Sequence, residues 1–173
     1  MQRAVHVPIY QIVGYKNSGK TSLMVKLIDY FTQHNLEVGT FKHHGHGGEP
    51  EVVKHTDSDY HFTAGASVSF VQGEKQLHMK AKDTSDVTLD QLLALYNFFN
   101  IDLVLIEGYK RANYPKIVLI RHQDDLQLLE SLSNVIAVGS HDLQLIESLD
   151  YLTFSLVEID QELNRLANHM IST

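Results

Sequence analysis

Residues 9–22 read IYQIVGYKNSGKTS, an apolar stretch that runs into a polar loop with a glycine at each end. Residues 14–21 satisfy the pattern GxxxxGKT. In this pattern, backbone N–H groups and the start of the following helix surround a phosphate group. Residues 8–13 have the β-branched, apolar composition of a buried strand, and helical periodicity begins directly after the loop. The stretch therefore predicts a strand, a phosphate-binding loop and a helix.

The residue types in this loop suit a polyphosphate with a bound cation. Gly14 and Gly19 permit backbone conformations that turn successive amides inward. Lys20 is expected to bridge the β- and γ-phosphates, and the hydroxyl of Thr21 is placed to bind Mg²⁺. Lys16 adds a cation within the loop. The alternative is a chance glycine-lysine turn, which the flanking strand and helix disfavour.

A second candidate element carries an acidic group. Residues 103–108 read LVLIEG, an apolar strand that ends in Glu107 and Gly108. A carboxylate in this position can hold magnesium through water or orient an attacking water, and the Gly108 amide can sense a γ-phosphate. Lys20 and Glu107 are therefore the candidate catalytic residues. The alternative for Glu107 is an ordinary solvated glutamate at a strand end.

The rest of the chain continues the alternation of strands and helices. Further strands are predicted at 37–41, 117–120 and 135–138, and helices at 21–34, 57–66, 89–99 and 156–170. Runs at 67–72 and 76–80 flank a Gly-Glu-Lys turn and predict a β-hairpin. The expected fold is α/β and resembles a P-loop NTPase. It has a mostly parallel sheet flanked by helices, one domain over 1–173 and a hairpin insertion at about 67–82.

The composition of the chain excludes or disfavours several classes of function. The 173 residues include no cysteine, which excludes thiolate nucleophiles and cysteine-ligated metals. A formal net charge of -7 disfavours nonspecific attraction to nucleic acid or to anionic membranes. No apolar run approaches the roughly 20 residues of a transmembrane helix, and the amino terminus lacks the pattern of a secretory signal. We expect a cytoplasmic protein that binds neither nucleic acid nor membrane.

Several spaced motifs together resemble one known family. They are GYKNSGKT at 14–21, Lys42-His43-His44, Asp57-Ser58 with Ala64-Gly65-Ala66, Ile106-Glu107-Gly108-Tyr109-Lys110, and Pro115-Lys116-Ile117. In combination they resemble MobB, the molybdopterin-guanine dinucleotide biosynthesis protein B family. The resemblance covers roughly residues 9–142, and the combination is more specific than any single motif.

The resemblance implies a GTP-binding adaptor with weak GTPase activity, GTP and Mg²⁺ as cofactors, and a homodimer. The adaptor assists the molybdopterin guanylyltransferase that joins GMP to molybdopterin; direct binding of molybdopterin is left open. The resemblance assigns Mg²⁺ to Thr21 and Glu107. The nucleotide contacts or ligand-facing residues that it implies are Gly14, Tyr15, Lys16, Asn17, Ser18, Gly19, Lys20, Thr21, Ser22, Lys42, His43 and Lys110. Gly108 joins this set as the candidate γ-phosphate sensor.

The histidine cluster after the second strand has three interpretations. His43, His44 and His46 follow Lys42 in a glycine-rich stretch. The loop can contact a phosphate or pterin ligand, bind a transition metal with a third ligand from elsewhere, or consist of solvated side chains. The first interpretation is favoured because the loop is expected beside the phosphate-binding loop. Lys110 and Arg111 form a similar pair of cations, which either suits a second phosphorylated ligand or belongs to a solvated loop.

Three functions remain compatible with these residues. The first is the GTP-binding adaptor, with slow hydrolysis because Arg111 is the one nearby arginine and no glutamine is placed to orient water. The second is an ATP-dependent small-molecule kinase, and the third a nonenzymatic carrier whose conformation is set by nucleotide. No NKxD sequence occurs, and Asp142 is the candidate reader of the guanine edge. The hairpin is the candidate dimer interface.

Overall fold

The computed structural model describes residues 7–43 and 56–173. Within these ranges six parallel strands form one sheet in the order β2-β5-β1-β6-β7-β8. The strands are β1 (Ile9–Gly14), β2 (Val38–Lys42), β5 (Leu103–Glu107), β6 (Lys116–Ile120), β7 (Val135–Ser140) and β8 (Leu152–Ser155). Two further strands, β3 (Val68–Gln72) and β4 (Leu77–Ala81), pair separately. The predicted α/β fold with a parallel sheet and a hairpin is confirmed.

The central strands are mostly apolar because both faces of the sheet are covered. Every residue of β1, β5 and β6 is buried. Parallel strands that are covered on both faces read as continuous apolar runs, not as alternating ones. For this reason short runs such as residues 103–106 were recognisable as strands in the sequence.

Helices α1 (Lys20–Gln33) and α5 (Ile159–Ser172) pack on the same apolar cluster. Leu23, Leu27 and Phe31 of α1 and Leu166 of α5 are buried in it. An ion pair between Lys26 and Asp160 also joins the two helices. Helix α1 starts at the end of the phosphate-binding loop, so this packing also fixes that end of the loop.

Shorter helices pack on two other clusters. Leu93 of α3 (Leu89–Leu93) is buried with strand residues of β1 and β5, and Leu128 of α4 (Gln127–Ser131) with residues of β1, β6 and β7. Thr88 and Gln91 form a reciprocal capping box that starts α3. The sheet is therefore packed by helices over several separate clusters.

The hairpin of β3 and β4 packs with α2 (Asp57–Thr63). Lys80 forms an ion pair with Asp59 at 2.8 Å, and Lys82 donates to the Phe62 carbonyl at 2.6 Å. Both ammonium groups also lie over the Phe62 ring, at 4.3 and 4.6 Å from its centre. Lys80 of β4 and Lys82, just after its end, therefore fasten the hairpin to α2.

Two predicted helices differ in the structure, and two further elements were not predicted. The helix expected over 89–99 is α-helical only to Leu93 and continues as a 3-10 helix over Ala94–Phe98. The helix expected to begin at 156 begins at Ile159, and the sequence analysis missed β8 before it. It also missed α4. β8 has four residues, of which Thr153 and Ser155 are polar, so it lacks the apolar run that identified the other strands.

Candidate functional site

The carboxyl ends of β1, β2 and β5 meet at one edge of the sheet and surround a cavity of about 1000 Å³. Such an edge is the usual ligand site of an open parallel sheet. Three segments line the cavity: the phosphate-binding loop, the end of β2 and the segment that follows β5. The lining residues are Gly14, Tyr15, Lys16, Asn17, Ser18, Gly19, Lys20, Thr21, Ser22, Lys42, His43, Glu107, Gly108, Tyr109, Lys110, Arg111 and Ala112. The structure thus brings the predicted site residues together.

The phosphate-binding loop has the backbone shape that the motif requires. Gly19 has a φ of 91° and Asn17 a φ of 61°, both in the left-handed region. Gly19 then accepts the first bond of α1, from the Leu23 N–H at 2.9 Å. The first amides of α1 have no intrahelical partner and carry the positive end of the helix dipole. This end of the cavity is therefore suited to an anion.

Lys20 lies at the start of α1 and its ammonium folds back over the loop. Its Nζ donates to the Tyr15 carbonyl at 2.6 Å. Burial lowers the pKa of Lys20; Glu107 opposes this effect, and the positive charges of Lys110, Lys42 and Arg121 add to it. An anionic ligand would relieve this repulsion, because it would bring opposite charge among several cations.

Thr21 and Glu107 lie next to each other, as the magnesium assignment requires. The Thr21 hydroxyl donates to the Glu107 carboxylate at 3.2 and 3.3 Å. Lys42 Nζ is 3.4 Å from the same carboxylate. A hydroxyl and a carboxylate are oxygen ligands that Mg²⁺ accepts, and Mg²⁺ usually fills its other positions with water and substrate phosphates. The residues present therefore fit a magnesium ion bound together with a polyphosphate.

Ser18 gives a separate sign that the loop is shaped for a ligand. Its side chain is buried in the loop, and its hydroxyl has no hydrogen-bond partner among the described residues. A buried hydroxyl without a partner is unfavourable unless water or a ligand supplies one. A bound phosphate or its hydration water would supply that partner.

Tyr15 connects the phosphate-binding loop to a second cation-bearing segment. Lys110 Nζ lies 4.2 Å from the centre of the Tyr15 ring, and the Arg121 guanidinium lies 5.4 Å from it. Burial lowers the pKa of Lys110. Among the described residues no carboxylate is within ion-pair distance of Lys110. The ammonium is thus held at the cavity by an aromatic face, and its charge remains available to an anion.

Arg121 is a site residue that the sequence analysis missed. Its guanidinium makes two bonds to Asp125, at 2.8 and 3.1 Å, and a third to the Lys16 carbonyl at 2.8 Å. These bonds hold the pKa of Asp125 below its usual range. Arg121 directly follows β6 and precedes Asp125 by four residues, a spacing that could have indicated the pair. Its contact with the phosphate-binding loop depends on the sheet order.

The histidine cluster is only partly described. His43 lines the cavity, and its ring lies 4.3 Å from the ring of Tyr109. His44 and His46 lie outside the described residues. Over 7–43 and 56–173, no group of three or more acidic or histidine side chains is placed to hold a metal ion. The described part therefore places His43 at the cavity.

Asp142 lies just beyond β7, at the same edge of the sheet. Its side chain accepts from the Gln144 N–H at 3.1 Å. The neighbouring His141 has Nε2 3.6 Å from the position that a Cβ on Gly19 would occupy. The segment after β7 therefore approaches the phosphate-binding loop from the side opposite to Lys42 and Lys110.

In the part of the chain described, no helix is long and apolar enough to cross a bilayer.

Comparison with known proteins gives a consistent result. Residues 9–141 match the family model for MobB, molybdopterin guanine dinucleotide synthesis protein B. A relative from Bacillus subtilis, a probable molybdopterin-guanine dinucleotide biosynthesis adapter protein, is 40% identical over 132 residues, which are 76% of this chain and 75% of the relative. An adapter protein from Haemophilus influenzae is 31% identical over 135 residues, 78% of this chain and 75% of the relative.

Solved structures extend the likeness over nearly the whole chain. The crystal structure of Bacillus subtilis MobB matches with a TM-score of 0.78 and 33% identity, and covers 94% of this chain and 97% of its own. The crystal structure of a MobB homolog from Bacillus stearothermophilus matches with a TM-score of 0.75 and 32% identity. The match covers 95% of this chain and 99% of the homolog. With the phosphate-binding loop, the acidic strand end and the sheet order all in place, the chain belongs to the MobB family.

Proposed function

We propose that this chain binds GTP with Mg²⁺ in the cavity at the sheet edge, hydrolyses it slowly, and acts as an adaptor for the guanylyltransferase that attaches GMP to molybdopterin. The observation that carries the nucleotide part is the meeting of the phosphate-binding loop, Thr21 and Glu107 at one cavity. The adaptor part rests on family membership and on the names of the relatives.

In this proposal each side chain has a separate task. Lys20 exchanges its bond to the Tyr15 carbonyl for oxygens of the β- and γ-phosphates. Thr21 and Glu107 would hold Mg²⁺, which neutralises charge on the phosphate oxygens when bound. Gly108 lines the cavity, but its N–H donates to the Ile12 carbonyl at 3.0 Å, so the predicted role of this amide as a γ-phosphate sensor is not supported. The side of the cavity with Lys42, His43 and Lys110 suits a second phosphorylated ligand, for which molybdopterin is a candidate.

Slow hydrolysis follows from how the arginines are used. Each of the three nitrogens of the Arg121 guanidinium makes a hydrogen bond, two to Asp125 and one to the Lys16 carbonyl. Arg121 therefore positions the loop and is not free to neutralise charge on a transferring phosphoryl group. Arg111 lines the cavity and remains the candidate for that task. GTPases without such an arginine turn over slowly until a partner supplies one.

Asp142 is the proposed reader of the base. Guanine presents two adjacent donors, N1–H and N2–H, where adenine has an N1 acceptor and a C2–H, and a carboxylate can only accept. Asp142→Asn keeps the size of the side chain and its cap on the Gln144 N–H but removes the charge. In titration calorimetry we expect this substitution to weaken the binding of GTP by about tenfold and to leave the affinity for ATP unchanged. Equal effects on both nucleotides would contradict this assignment.

The adaptor function is tested by reconstitution with the guanylyltransferase. We expect the wild-type chain to raise the yield of molybdopterin-guanine dinucleotide, and Lys20→Ala to fail to do so. A variant as active as wild type would indicate a carrier that does not need the nucleotide. ADP release that depends on an added phosphate acceptor would instead indicate a small-molecule kinase.

A second copy of this chain is the proposed partner of the hairpin. Val68, Phe70, Leu77 and Met79 lie on one face of β3 and β4, and all four are exposed. An isolated two-stranded hairpin is at best marginally stable in water. Pairing of two such faces would bury apolar surface on both copies.

A further inference from the structure

Two polar side chains are buried side by side in the middle of the sheet. Gln11 of β1 and Lys116 of β6 are neighbours in the parallel pairing, and both have no exposed surface. Burial lowers the pKa of Lys116. No carboxylate lies within ion-pair distance of Lys116 among the described residues. A buried ammonium without a counter-ion destabilises a fold, so a reason for its presence is needed.

Both side chains bond to the backbone of one segment, residues 108–114. Gln11 Nε2 donates to the carbonyls of Gly108 and Tyr109 at 3.0 and 2.8 Å, and Gln11 Oε1 accepts from the Tyr114 N–H at 3.4 Å. Lys116 Nζ donates to the carbonyls of Ala112 and Tyr114 at 2.8 and 3.0 Å. The segment has no regular secondary structure, so these two side chains supply bonds that a helix or sheet would otherwise supply.

The anchored segment is held in an unfavourable conformation and carries a cation into the cavity. Tyr109 has a φ of 51°, in the left-handed region that a bulky residue seldom adopts. The next residue is Lys110, whose ammonium lies over Tyr15 of the phosphate-binding loop. If the hydrogen bonds from Gln11 and Lys116 were lost, the backbone of Tyr109 would be expected to relax to a more favourable conformation. Lys110 would move with it.

We propose that Gln11 and Lys116 are positioning residues for anion binding: they hold residues 108–114 so that Lys110 reaches the phosphate-binding loop. The proposal rests on the polyphosphate site proposed above. It explains why the sheet contains a buried ammonium without a counter-ion among the described residues.

The proposal predicts opposite effects on stability and on binding. Lys116→Met keeps most of the side-chain volume and removes the buried charge, a change that is often neutral or stabilising. The Ala112 and Tyr114 carbonyls then lose their donor and turn towards water. Binding should weaken while the fold is retained. A residue with a merely structural role would instead lower the melting temperature when replaced.

The experiment measures Tm and the affinity for inorganic tripolyphosphate and for GTP, each with Mg²⁺, by calorimetry. The variants are Lys116→Met and Gln11→Met, and Lys75→Met on the exposed hairpin turn is the matched control. We expect about tenfold weaker tripolyphosphate binding for the first two variants. The Tm of Lys116→Met should be no lower than that of the control. Unchanged binding in both variants, or a large fall in the Tm of Lys116→Met that accompanies its loss of binding, would overturn the proposal.

A double-mutant cycle that combines Lys116→Met with Lys110→Ala tests whether Lys116 affects anion binding through Lys110. If Lys116 acts by placing Lys110, Lys116→Met should weaken binding little further when Lys110 is already absent. Fully additive losses would overturn the proposal. A wild-type chain that binds neither tripolyphosphate nor GTP would overturn the proposed function and this inference with it. Normal wild-type binding with an unaffected Lys116→Met variant would overturn this inference alone.

Discussion

Glu107 combines three contacts at the point where the magnesium ion is proposed. It accepts from the Thr21 hydroxyl, pairs with Lys42, and its carbonyl accepts from the His43 N–H at 3.0 Å. The last contact belongs to the backbone and is independent of the carboxylate charge. A substitution that removes the charge therefore tests the metal assignment without removing the link between β2 and β5.

Glu107→Gln should reduce the part of GTP affinity that depends on magnesium. The amide keeps the size of the side chain but is a much weaker ligand for a hard cation than a carboxylate. We expect the gain in affinity on adding Mg²⁺ to shrink by about tenfold in calorimetric titrations. Affinity in excess chelator is the control and should change little. A magnesium dependence equal to that of wild type would rule out Glu107 as the ligand.

Asp125 gives a prediction about stability against pH. Its pKa is lowered by the hydrogen bonds and charge of Arg121, so its ionised form stabilises the folded state. This contribution is fully present above the unfolded pKa of about 3.9 and is lost as pH falls through the lower folded pKa. Asp125→Asn should therefore lower the free energy of unfolding by about 1–3 kcal/mol at pH 7.

The difference between Asp125→Asn and wild type should shrink as the pH is lowered below about 4. Denaturant melts at several pH values measure it. A difference that stays constant down to pH 2 would show that the pair with Arg121 is not its source. Because Arg121 also bonds to the Lys16 carbonyl, GTP affinity should fall in the same variant.

At the scale of elements, the turn from β1 into the phosphate-binding loop is packed too closely for a larger residue. A Cβ on Gly14 would lie 2.5 Å from Ser18 Oγ and 2.9 Å from the Leu119 carbonyl oxygen. The second atom is backbone of β6 and cannot turn aside. The loop would have to shift from the position in which it faces Thr21 and Glu107.

Gly14→Ala should therefore lower both GTP affinity and stability. Overpacking of this kind lowers the free energy of unfolding by about 1–3 kcal/mol. Gly73→Ala is a suitable control, because the nearest atom to its new Cβ lies at 3.8 Å. Calorimetry and denaturant melts of both variants measure the two effects. Normal GTP binding by Gly14→Ala would mean that the loop does not need this geometry.

The sequence predicted the elements that have a strong local signal and missed those that depend on tertiary contacts. β5 and β6 were recognisable because their apolar runs are continuous, and β1 because Gln11 alone interrupts its apolar run before the phosphate-binding loop. β8 was missed because Thr153 and Ser155 interrupt its apolar pattern, and its pairing with β7 decides its conformation. The helical spacing of apolar residues continues past Leu93, the last residue of α3, although the backbone there tightens to a 3-10 helix.

The candidate site divides in the same way. The residues from Gly14 to Ser22 could be assigned because the motif is local, and Glu107 because it ends an apolar strand. Gln11 and Arg121 were not recognised, since Gln11 bonds to the Tyr109 carbonyl and Arg121 to the Lys16 carbonyl, both distant in the sequence. Lys116 stood in a quoted motif beside the strand at 117–120, but no role was assigned to it. Its bonds to the Ala112 and Tyr114 carbonyls are local and depend on the conformation of the segment after β5.

At the scale of the whole molecule, the exposed hairpin predicts self-association. Phe70 is 61% exposed and lies opposite Met79 on the apolar face of the hairpin. Phe70→Asp should dissociate the proposed dimer, because it would bury a charge between two apolar faces. His78→Asp, on the other face of the same hairpin, should leave the dimer intact. Sedimentation equilibrium distinguishes the two.

A wild-type chain that sediments as a monomer at micromolar concentration would contradict the homodimer. If the chain is monomeric alone but binds the guanylyltransferase through Phe70, the apolar face serves the partner enzyme and not a second copy. The proposed nucleotide site does not depend on this result, because its lining residues all belong to the phosphate-binding loop, the end of β2 and the segment after β5.

The central claim is that the cavity at the sheet edge binds GTP through the phosphate-binding loop. Calorimetric titration of the wild-type chain and of Lys20→Ala with GTP and with ATP, each with Mg²⁺, tests it most directly. The account predicts tighter binding of GTP than of ATP by wild type and a loss of at least about tenfold in Lys20→Ala, with Tm unchanged. Undiminished GTP binding by Lys20→Ala, or no binding by wild type, would contradict it.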